Sequence, residues 1–94
     1  MSEENTDRLI QELRGRISDN DRAIVRALNK RIELVARLKR HKESRGIEFV
    51  DPQQEESILR DLSRANRGPL SQDGLRGLFR EILDLTKREL SSDR

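Results

Sequence analysis

Two cations stand where a helical seam calls for apolar side chains. Ile24, Leu28, Val35 and Leu38 recur in steps of three, four or seven, the spacing of one helix face. Arg31 and Lys42 fall on that same stripe. They are eleven residues apart, which on a helix is about 20° of net rotation and about 16 Å of rise. Cations on a face that packs inward are costly to desolvate unless an anion meets them. Arg14 lies seventeen residues before Arg31, about 100° around and about 25 Å away. It cannot join the same pocket from the same chain, but a partner's Arg14 can in an antiparallel or crossed dimer. Two carboxylates, Asp51 and Glu55, sit at i and i+4 where a later helix begins. Thr86 and Leu90 lie on the inner face of the last one. Together these residues describe a pocket for a small anion at a helical dimer interface.

Each has a plainer reading. Arg31 and Lys42 can snorkel, with stems on the seam and heads in solvent. Asp51 is a natural N-cap and Glu55 a first-turn acid favoured by the helix dipole. Thr86 can be a core-edge hydroxyl bonded to the preceding turn. His41 reads as a surface residue.

The elements that position these groups are three helices. From Thr6 to Arg45 there is no proline and a single glycine, Gly15. The seam there starts at Ile10, Leu13 and Ile17, so the spacing predicts one long helix over about 6–45. Asn5, Thr6 or Asp7 can cap its start, and Gly46 suits the left-handed position past its end. At 1.5 Å per residue such a helix is roughly 55–60 Å long. A compact chain of this size has a radius of gyration of only about 12 Å. The expected remedy is a second copy alongside, hence a homodimer; a kink at Gly15 or a break near Asn20 is the alternative. Asp51-Pro52-Gln53-Gln54 opens a second helix, about 52–66, with Gln54 reaching back to the cap. Its face is Ile58, Leu59, Leu62 and Ala65, and Gly68-Pro69 stops it. Ser71 or Asp73 caps a third, about 72–90, with Leu75, Leu78, Phe79, Ile82 and Leu83 inward and a frayed tail from Ser91.

Composition narrows the function classes. The chain has 94 residues, 32% hydrophobic and 40% charged, with two aromatics. That allows one domain over 1–94 with a thin core. No cysteine is present, which excludes disulfides, thiolate metal sites and cysteine nucleophiles. One histidine builds no multi-histidine metal site and, by itself, no serine-type triad. Twenty basic and eighteen acidic side chains leave +2, a mixed surface unlike that of a nucleic-acid binder. No apolar run approaches a membrane span and no signal peptide opens the chain, so a cytoplasmic protein is expected.

Several short motifs follow one another in a telling order. They are Leu13-Arg14 with Ile17 and Asp21, Lys30-Arg31 with Val35, Lys39 through Lys42, Asp51-Pro52 before Glu55, and Leu78-Phe79-Arg80-Glu81-Ile82. From about Arg8 to Leu90 the pattern resembles the all-helical, AroQ-type chorismate mutases of the shikimate pathway. The stretch Arg67-Gly68-Pro69-Leu70 is most similar to the variant fused to, or partnered with, DAHP synthase. The resemblance implies an all-α, intertwined homodimer that rearranges chorismate to prephenate with no cofactor, metal or covalent intermediate. Such catalysis holds the dicarboxylate in its reactive chair and stabilises charge growing on the ether oxygen. By the same resemblance, Arg31 and the other subunit's Arg14 hold the two substrate carboxylates. Lys42 donates to the ether oxygen and one carboxylate. Glu55 accepts the ring hydroxyl with Asp51 supporting it, and Thr86 stands near the ring carboxylate.

Two positions depart from the family pattern. Gln54 stands where arginine is usual, and Leu90 where a glutamine or an acid is the second donor to the ether oxygen. Losing a charged hydrogen bond costs about 1.5–3 kcal/mol, and losing a transition-state donor about 2.7–4 kcal/mol. Enzymes typically lower their barriers by at least about 8 kcal/mol, so the expectation is an isomerase of low intrinsic activity. The competing readings are an isochorismate pyruvate-lyase on the same scaffold, and a regulatory or dimerisation module with little catalysis.

Overall fold

The computed structural model describes residues 7–91. They form three α-helices, α1 (Arg8–Ser44), α2 (Pro52–Ala65) and α3 (Gln72–Ser91). Asn5 and Thr6, two of the three candidate caps, lie outside the described residues, as does the tail beyond Ser91. Contacts group the chain into two compact units, one ending at Glu33 and the other beginning at Leu34.

In the first unit Asp7 is the cap of α1. Its Oδ1 accepts from the amides of Leu9 at 2.9 Å and Ile10 at 3.3 Å, satisfying donors that the first helical turn leaves open. The helix passes Gly15 and Asn20 without a break. Its stripe Leu9, Leu13, Ile17 and Ile24 is exposed, Ile17 to 60%. No residue of α1 is buried.

The second unit holds the last turns of α1 and the two shorter helices. Gly46 takes φ +67 just past Ser44. Ile47 donates to the Lys42 carbonyl at 2.8 Å and Gly46 to that of Glu43 at 3.2 Å, the double closure of a Schellman cap. Asp51 caps α2, accepting from the Gln54 amide at 3.2 Å, with Pro52 in the first turn. Among the described residues no return bond from the Gln54 side chain accompanies it. Ser71 caps α3 through its hydroxyl, which accepts from Gly74 at 3.0 Å.

Between α2 and α3, Asn66 donates to the Leu70 carbonyl at 2.9 Å and Gln72 to that of Ser63 at 2.8 Å. These bonds fold the connection back on itself, so the two helices pack as an antiparallel hairpin. Its core is Leu59, at 2% exposure, with Leu75, Leu83 and Leu90. Leu78, which periodicity places inward, is exposed, and so is Ala65 at the last position of α2. Four buried leucines among the described residues are a small core.

Candidate active site

Lys42 occupies the last turn of α1, where the glycine cap closes on its own carbonyl. Its Nζ is half-buried and reaches the Phe49 carbonyl at 3.4 Å, a long bond for an N–H donor. An ammonium has three donors, so most of its capacity remains for an anion. Lys39, one turn earlier, lies with Nζ 5.8 Å from the centre of the Phe49 ring, a cation–π contact. One lysine thus holds the ring of Phe49 and the other its carbonyl.

Glu55 sits in the first turn of α2 with its amide bonded to the Asp51 carbonyl at 3.1 Å. Its Oε2 accepts from Lys87 of α3 at 3.1 Å. Lys87 also lies 3.8 Å from Asp84. Sequence reasoning missed Lys87, although the signal was available. It falls four residues after Leu83 and eight after Phe79, a cation on the apolar face by the same criterion that singled out Arg31 and Lys42.

Thr86 is 3% exposed, and its Oγ1 donates to the Ile82 carbonyl at 2.8 Å. This is the back-bonded hydroxyl of the plainer reading. Asp51 and Gln54 are exposed at the start of α2. In the first unit Arg31 is half-buried and Arg14 exposed. Lys42, Asp51, Gln54, Glu55 and Thr86 therefore share the second unit, while Arg14 and Arg31 belong to the first.

Charge separates two of the cavities of the second unit. One of about 260 Å³ between α2 and α3 is lined by Glu55, Glu56 and Asp84 against Arg80. That is the wrong sign for a dicarboxylate. The other, of about 250 Å³, is lined by Ala36, Lys39, Arg40, Glu43 and Leu90. Leu90 is 7% exposed and so is a packing residue of this unit. Leu90→Gln buries an amide in place of apolar surface. Urea denaturation should show unfolding free energy reduced by about 1.5–3 kcal/mol.

The described residues are all-helical and without strands, with cations on the longest helix and carboxylates at the start of the next. The family model for chorismate mutase type II matches residues 13–90, and the chain belongs to that family. It is similar to the solved chorismate mutase of Thermus thermophilus. The form II structure has TM-score 0.84 and 32% identity, covering 89% of this chain and 96% of that one. Form I has TM-score 0.80 and 35% identity, covering 82% and 96%. No curated protein matches the chain.

Proposed function

We propose that the chain is a chorismate mutase, an isomerase that converts chorismate to prephenate by a unimolecular Claisen rearrangement. The observation that carries this is the family match over 13–90, an interval that takes in every candidate position from Arg14 to Leu90 in order. Neither the lyase nor the inert module draws support from the comparisons. The two half-buried cations Arg31 and Lys42 suit a dianionic substrate, since charge-assisted pairs to carboxylates are the stronger hydrogen bonds. Arg31 and the partner subunit's Arg14 grip the carboxylates and fix the chair. Lys42 donates to the ether oxygen as negative charge grows there. Glu55, backed by Asp51 at the helix cap, accepts the ring hydroxyl. Gln54 offers an uncharged amide in place of the family's arginine, and Thr86 borders the ring carboxylate.

The whole of 1–94 acts as one mutase domain in a homodimer. Eleven large apolar side chains are exposed among the described residues, and seven of them lie on α1, a face that a second copy covers. The segment Arg67-Gly68-Pro69-Leu70 carries, by its sequence alone, the likeness to the variant that works with DAHP synthase, and the reading carries the family's cytoplasmic setting with it. The test is to mix purified protein with chorismate and follow substrate loss and product identity together. Prephenate forming above the spontaneous rate is the expected result. Pyruvate release would point to the lyase, and no acceleration to the inert module.

A further inference from the structure

We infer that Lys87 is a positioning residue for Glu55, neutralising its carboxylate and aiming it so that a dianionic substrate can approach and donate its hydroxyl. This rests on the mutase reading above. The pair joins α2 and α3 at 3.1 Å, with the two side chains only 34% and 31% exposed. The other ion pairs joining these helices run from Glu56 to Arg76 at 3.7 Å and to Arg80 at 3.8 Å, and Glu56 is 50% exposed. Longer and wetter, they are worth little. A half-buried pair at hydrogen-bonding distance is screened less and fixes a direction.

The charges around Glu55 explain the need for a cation. Asp51 lies one turn before it, Glu56 beside it, and Asp84 across the hairpin lines the same cavity. A substrate bearing two carboxylates meets repulsion there. The neighbouring position on α2 holds neutral Gln54, so α2 supplies no cation of its own in the turn that carries Glu55. Lys87 brings one from α3, beside buried Thr86 and on a face that otherwise packs leucines. Lysine on such a face sacrifices packing, which a paired carboxylate offsets.

A double-mutant cycle tests this, because Glu55→Gln keeps a hydrogen-bond acceptor and removes the charge that needs neutralising. Lys87→Met should lower kcat/KM by about tenfold or more, the size of one charged hydrogen bond. In the Glu55→Gln background the same substitution should change kcat/KM by less than about twofold, and Lys87→Arg should restore most of the loss. Glu56→Gln, which removes the two wetter pairs together with one of the negative charges around Glu55, should not lower kcat/KM. The affinity of an oxabicyclic dicarboxylate shaped like the pericyclic chair, measured by calorimetry on the same proteins, gives a second readout. Equal losses in both backgrounds, or no loss in the parent, overturn the role of Lys87 and leave the mutase reading standing. If the parent binds the dicarboxylate without accelerating chorismate, the mutase reading fails alone and the coupling in affinity decides Lys87. If it neither binds nor accelerates, both fall.

Discussion

Lys42→Ala should lower turnover by about 10²–10³-fold, the effect of deleting one donor to a developing oxyanion, while the fold and the dimer persist. The separation of the two effects follows from how Lys42 is built into the chain. The end of α1 is closed by its main-chain carbonyl, which accepts from Ile47 at 2.8 Å and Arg45 at 3.0 Å, and truncation of the side chain leaves those bonds in place. What the side chain gives to the fold is a single 3.4 Å contact with the Phe49 carbonyl, a weak bond at that length. Lys39→Ala is the matched control. It removes a cation–π contact worth about 0.5–1 kcal/mol from the same loop and should leave turnover within a few-fold. Initial rates of prephenate formation, with circular dichroism and sedimentation on the same samples, decide it. Near-parental turnover in Lys42→Ala would assign the ether-oxygen donor to another group.

The helices were legible because their ends are written in local chemistry. Asp51 before Pro52, Ser71 ahead of α3 and Gly46 beyond α1 each act on amides or carbonyls within a few residues, and such signals need no tertiary context. The burial of Leu90 on the last helix was legible too, since period alone assigns a helix face. The exposure of Leu78 was not, because periodicity names a face without saying how much of it a neighbour covers. Nor was the pairing of Glu55 with Lys87, thirty-two residues apart, since it depends on how α3 folds back on α2. Thr86 illustrates a third limit. Its position on the inner face was readable, but whether its hydroxyl proton goes to a ligand or to Ile82 was left open, and the structure spends it on Ile82.

Subunits that are each inactive should regain activity when mixed, and this is the sharpest consequence of placing Arg14 in the partner's site. Arg14 stands on the part of α1 that ends at Glu33, with Leu13 and Ile17 exposed around it, whereas Lys42 and Glu55 belong to the part that begins at Leu34. An arginine seventeen residues before Arg31 is displaced from it by about 25 Å along the helix, so the proposed site takes this arginine from the other subunit. Arg14→Ala and Lys42→Ala homodimers should therefore both be nearly inactive, since each has the same defect in both sites. In a mixed dimer one site takes its arginine from the Lys42→Ala chain and its lysine from the Arg14→Ala chain, so it is whole, while the other lacks both. Random reassortment makes about half the dimers mixed, so about a quarter of parental activity should return. Joint refolding of the two variants from urea, followed by assay with chorismate, measures it. If each chain instead used its own Arg14, no reassorted dimer would hold an intact site and activity would stay at the level of the separate variants. A return to about a quarter thus establishes the dimer and the crossing of Arg14 in one experiment, because a monomer with a self-contained site gains nothing from mixing.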